Sequence, residues 1–210
     1  MRKLLLILTP VFFFGCKESG EKPAASDIPP TKIDSQRIKV LPQVNHYTIP
    51  DRSPMDMIYF PTDYALLKMR GKTTSLPLMR VIYSRPQKQN RKIFGDLVKY
   101  NIPWRLGANE ATEIEFFSTA TIQDKKINPG RYIVYCIPQD TSWTFVFNSN
   151  LYSWGLEQNR QKDLMQFDAP VEKTNMPIEY FTIAFEKVNE KTTDVLFLWD
   201  DVKTKLTISF

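Results

Sequence analysis

The stretch TEIEFFSTATIQDKKINPGRYIVYCIP, Thr112 to Pro138, decides the fold. Ile114 and Phe116 fall on one side of an extended chain, and Glu113 and Glu115 fall on the other. That alternation with period two is the mark of a half-buried strand. It places the two glutamates on the solvated face, away from the apolar one. A second strand from Thr121, a turn at Asp124–Lys125 and a short third strand follow. Asn128-Pro129-Gly130 then makes a turn in which Gly130 suits a positive φ, and a long strand carries on from Arg131 to Ile137. Cys136 lies inside that apolar run, as a small core residue would.

The same punctuation extends outward. Fifteen prolines and a series of short apolar-aromatic runs are separated by polar turns. Further strands are expected over Met55–Phe60, Leu78–Ser84, Trp143–Asn148, Ile178–Glu186, Asp194–Trp199 and Lys203–Ser209. The last two are read as a tight hairpin through Asp200–Val202. Helix is scarce, with short candidates only at Lys92–Lys99 and Asn159–Met165. The expected fold is all-β, a single sandwich or jelly-roll-like domain with little helix. Its aromatics mostly fill the core, Trp143 and Trp199 among them, while Trp154 before Gly155 is the one expected to be exposed.

The N-terminus has a different composition. Arg2 and Lys3 precede the apolar run Leu4–Phe14, followed by Gly15 and Cys16. This is the layout of a secretory signal. Its apolar core, about 11 residues, falls well short of the roughly 20 a membrane span requires. Phe13-Phe14-Gly15-Cys16 resembles the lipobox of bacterial lipoproteins, which makes Cys16 the expected lipidation (palmitate) site. Residues 17–39 lack aromatics and are rich in Lys, Glu, Ser and Pro, the composition of a tether. The expected organisation is therefore a signal peptide over 1–15, lipidated Cys16 and tether over 16–39, and a β domain over 40–210.

The formal charge is +5, and removal of Arg2 and Lys3 with the signal leaves 5 − 2 = +3. So small a charge argues against nucleic acid as a partner. His46 is the only histidine, and Cys136 is the only cysteine left once Cys16 carries lipid. No disulfide, metal site or cofactor is expected from that inventory.

Charged and amide residues concentrate in one region: Ser84, Arg85, Arg105, Asn109, Glu110 and Thr112. A guanidinium offers a planar fork to carboxylates, so Arg85 and Arg105 converging near Glu110 would make a pocket for an anionic or sugar-like ligand. The same residues would alternatively form an internal ion-pair network that pins the 97–110 connection. Glu110 as acid or base of a glycan hydrolase is a third reading, and it needs a second carboxylate, for which Asp56 is the candidate. The basic residues Lys88, Arg91 and Lys92 read as a solvated connection.

The motifs SPMDMIYFP (53–61), RVIYSRPQ (80–87), RKIFGDLV (91–98) and WRLGANEAT (104–112) succeed one another in an order that resembles the bacterial family called domain of unknown function 2911. NPGRYIVYCIP (128–138), WTFVFN (143–148), Trp154-Gly155 and VEK (171–173) agree with it too. The chain departs from that pattern at Lys99, where the family has Pro, and at Asn101, where it has Gly. The resemblance implies a secreted or lipid-anchored β-rich domain typical of Bacteroidota, with no activity to carry over. The expected protein is an envelope lipoprotein, exported across the inner membrane and anchored in the outer membrane. It binds a small polar ligand, a glycan or a partner protein; a glycan hydrolase and a purely structural protein are the alternatives.

Overall fold

The structure, a computed structural model, describes residues 51–210. The expectations for Cys16, the signal, the tether and His46 lie outside the described residues. Nine strands run β1 Met55–Phe60, β2 Met79–Ser84, β3 Glu113–Phe116, β4 Ala120–Ile122, β5 Lys125–Ile127, β6 Gly130–Pro138, β7 Ser142–Asn148, β8 Asp163–Asn189 and β9 Thr192–Ser209. Among the described residues a single short α-helix, α1, covers Tyr64–Met69. The fold is all-β as expected, but the strands make one continuous antiparallel sheet, in the order β1-β2-β3-β6-β7-β8-β9-β4-β5, rather than two separate sheets.

That sheet folds back on itself. Val81, Ile114, Val134 and Phe147 from β2, β3, β6 and β7 face Val195, Phe197, Leu206 and Ile208 of β9 across a small apolar void. The chain just after β2 hydrogen-bonds to β8, with Phe181 N–H donating to Pro86 O at 3.0 Å and Lys88 N–H to Glu179 O at 2.7 Å. A sheet curled this way buries one face against itself, which is how a single sheet encloses a core.

The last strands show why local pattern misleads. No hairpin forms at Asp200–Val202; β9 runs through it without reversing. From Val195 on, its buried residues are Val195, Phe197 and Trp199, then Val202, Thr204, Leu206 and Ile208. The alternation slips by one residue at Asp200, whose φ is +53°. A one-residue slip would otherwise turn every later side chain to the wrong face, and this irregularity restores the phase. On β8 the register against β9 shifts between Lys173 and Thr182. The displaced stretch is what reaches the chain after β2.

The two expected helices are absent. Over 92–99 Gly95 takes φ +85° and Val98 N–H donates to Ile93 O, a turn that buries Ile93, Phe94 and Val98. Over 159–165 only one 3-10 turn forms, Arg160–Lys162, because pairing with β7 draws the chain from Asp163 onward into β8. The β4–β5 turn falls on Gln123 and Asp124, both at positive φ as two-residue hairpins of this type require. Glu113 and Glu115 are on the outer face but are not simply solvated. Arg131 grips Glu113 at 2.8 and 2.6 Å, and Arg80 meets Glu115 at 2.6 Å.

Trp143, Trp199 and Cys136 are buried as expected, and burial pushes the Cys136 thiol well up, leaving it unreactive. Asp194 is buried on the opposite side of the sheet. Burial works to raise its carboxyl, but hydrogen bonds from Lys205 at 2.6 Å and Thr207 at 2.6 Å, with the Lys205 and Lys203 charges, hold it below the usual aspartate range. A depressed carboxylate adds stability that is complete above the unfolded value, about 3.9, and is lost as pH falls through the folded one. Melting temperature should thus fall more steeply below about pH 4 in the parent than in Asp194→Asn. Superimposable acid limbs in the two proteins would refute this.

Candidate functional site

The connection from Leu97 to Glu110 is held by hydroxyls and backbone. Trp104 exchanges two backbone hydrogen bonds with Cys136, at 2.7 and 2.9 Å, and so adds a bridge to β6. Ser84 Oγ accepts from Ala108 N–H at 2.6 Å and donates to Ala108 O. Thr112 Oγ1, buried, donates to Leu106 O at 2.6 Å. Asn109 Nδ2 reaches Asp51 Oδ2 at 2.8 Å and Ser53 O at 3.1 Å. Asn101, Leu106 and Asn109 all sit in the left-handed region, at φ +61°, +57° and +57°. Asn tolerates that conformation, so Asn101 does what glycine does in the related pattern. Leu106 does not tolerate it cheaply, and it is held there by complete burial of its side chain.

The arginines do not converge as the sequence suggested. Arg85 turns to the curl of the sheet, meeting Asp56 at 3.3 Å and Thr182 Oγ1 at 3.2 Å, with its guanidinium 5.9 Å from the Tyr180 ring centre. Asp56 is thereby paired with Arg85, not with Glu110. Arg105 instead donates to the backbone carbonyl of Trp154 at 3.3 Å. Burial pulls its guanidinium down, and the nearby Glu110 charge only partly opposes that. Glu110 itself is exposed.

Arg105 lines a cleft of about 340 Å³ with Trp104, Arg91, Leu97, Pro103 and Leu156. The indole of Trp104 forms its apolar wall and stacks on Trp199 behind it, ring centres 5.7 Å apart and planes 19° apart. Arg91 is anchored by its own hydrogen bonds to the carbonyls of Lys88 and Gln87. Leu97 (47% exposed) and Leu156 (74%) stand at the rim. Trp154 is 52% exposed, as expected, and its backbone carbonyl accepts from Arg105. Among the described residues no Asp or Glu lines the cleft. Of the residues expected to bind ligand, only Arg105 lines it; Ser84, Asn109 and Thr112 brace the 97–110 connection without lining the cleft. Leu97, Trp104 and Leu156 are not marked out by the sequence, because apolar residues at a rim look there like residues buried in a core, and Arg91 reads there as part of a solvated connection.

A family model described as Protein of unknown function (DUF2911) matches residues 67–208. The chain belongs to this family. The match takes in β2 to β9 and the whole 97–110 connection, so Arg91, Leu97, Trp104, Arg105 and Leu156 all lie within the DUF2911 domain. No curated protein and no solved structure matches the chain. Among the described residues no group of three or more His, Cys, Asp or Glu is placed to hold a metal ion. None of their helices is long and apolar enough to cross a membrane.

Proposed function

We propose that this DUF2911 domain is a non-enzymatic binding module. Its ligand is a small molecule with an anionic group and an apolar or ring-shaped body, held in the Arg105–Trp104 cleft. Cys16 carries the acyl anchor that keeps the module on the outer membrane. The observation that carries the binding reading is Arg105, a half-buried cation at the cleft whose one side-chain acceptor among the described residues is a neutral carbonyl. A carboxylate or phosphate entering the cleft supplies the missing partner as a charge-assisted pair. Trp104 and the leucines at the rim cover the apolar part.

The pinning of the 97–110 connection by Ser84, Thr112 and Trp104 supports this over the purely structural alternative, because Arg105 is left free of that task. The hydrolase reading finds no carboxylate or histidine among the described residues of the cleft lining.

The test is a thermal-shift screen of the Cys16→Ser chain with organic anions, sugars and glycan fragments. At 100 times its dissociation constant a ligand adds roughly 2.7 kcal/mol, a rise on the order of 5–10 °C for a domain of this size. Arg105→Met should keep its unliganded melting point within a few degrees and abolish the rise for anions. A hit that survives Arg105→Met, or a variant that no longer folds, would refute the assignment.

A further inference from the structure

The link between β1 and β2 carries apolar side chains that the fold does not use. Helix α1 buries none of its residues. Tyr64 turns toward the body of the domain, its ring 5.3 Å from Tyr59, whose hydroxyl donates to Met57 Sδ at 3.3 Å. Leu66 and Met69, three apart on the helix, share the outer face. Met69 is 75% exposed, and Leu76, further along the link, is 68% exposed. Met55 and Met57 extend the apolar surface along β1, the edge strand. Scattered exposed leucines are ordinary, but Met55, Met57, Leu66, Met69 and Leu76 concentrate on the edge strand and the link that leaves it.

Its charge is predominantly positive. Between Pro61 and Leu76 stand Lys68, Arg70 and Lys72 against the single acid Asp63. The three cations are exposed, and none has an ion-pair partner among the described residues. On the outer face of the sheet, by contrast, Arg80 pairs with Glu115 and Arg131 with Glu113.

We propose that this surface docks on a bilayer containing anionic phospholipid. Long flexible apolar side chains projecting from a short helical turn suit insertion at the headgroup–acyl boundary, and lysine and arginine beside them meet the headgroup phosphates. A second copy of the chain is the poorer occupant, since two-fold pairing through this surface would set three unpaired cations against three. The inference does not depend on Cys16 or on the cleft.

The test places a polarity-sensitive fluorophore on Met69→Cys in the full-length Cys16→Ser chain; buried Cys136 stays unlabelled. A matched label on Val188→Cys, exposed at the far end of β8, serves as control. An N-terminal leader touching the vesicle would bring both labels near it, but only a docking face loses contact with water. With vesicles of phosphatidylcholine and phosphatidylglycerol, the label at position 69 should shift to the blue and the label at 188 should not. Pure phosphatidylcholine should give little shift. Changing Lys68, Arg70 and Lys72 to Ala should weaken the titration by about fivefold per cation removed. Equal shifts at both positions, equal shifts on both lipids, or no shift at 69 would each overturn the proposal.

Discussion

Trp104→Ala is expected to destabilise the domain by about 3–5 kcal/mol, the range for removing a large packed aromatic. Trp104 stacks on Trp199 and meets Phe94, Trp143 and Phe181 edge-on, with ring centres 5.0–6.1 Å away. Each such aromatic pair adds roughly 0.5–1.5 kcal/mol beyond the burial of area. The substitution also frees Gly107 O, which accepts from the indole Nε1 at 3.2 Å. Because the indole walls the cleft, the effect reaches binding as well as folding. Trp104→Phe separates the two, retaining most of the ring packing while losing the hydrogen bond and part of the wall. Urea denaturation should therefore rank parent above Trp104→Phe above Trp104→Ala. A Trp104→Ala protein within about 1 kcal/mol of the parent would show that the aromatic cluster is not what holds this end of the sheet together.

Gly155→Ala should cost about 2–5 kcal/mol for a different reason. Gly155 has φ +76°, a conformation that costs a residue with a side chain about 1–2 kcal/mol. An added Cβ would also stand 2.8 Å from Ala111 Cβ and 3.0 Å from Arg105 Cβ. Overpacking of that sort costs roughly 1–3 kcal/mol more. Ala111 is buried and its N–H donates to Ser153 O at 3.3 Å, so the neighbour cannot retreat freely. Adding Ala111→Gly should recover part of the loss, and a double-mutant cycle would read that coupling. Strict additivity would mean that strain in the backbone, and not contact with Ala111, accounts for the cost. Since the clash also presses on Arg105, Gly155→Ala should weaken any ligand more than its melting point alone predicts.

Strand positions were legible wherever local alternation matched the final sheet. Thr112–Phe117 and Arg131–Ile137 contain β3 and most of β6. The failures are as instructive. Residues 163–177 lie outside the expected strands, yet Met165, Phe167, Ala169 and Val171 alternate with exposed Gln166, Asp168 and Pro170, and the stretch forms the first half of β8, pairing with β7 and then β9. The phase change at Asp200 reads as a turn, since sequence cannot tell a bulge from a reversal. In the site, Arg105 was picked out by its charge. Its partner was not, because that partner is a backbone carbonyl 49 residues away and every residue has one.

The sequence by itself determined the β class, the family, and which side chains could bear charge, because alternation, turn chemistry and residue type are local properties. Only the tertiary structure decided that the nine strands form one sheet curled on itself. It alone sent Arg85 to Asp56 while leaving Arg105 with a carbonyl at the cleft. The reason is physical. Which polar groups find partners depends on chain segments brought together by long-range pairing, and a group's partner, unlike its charge, is not written next to it in the chain.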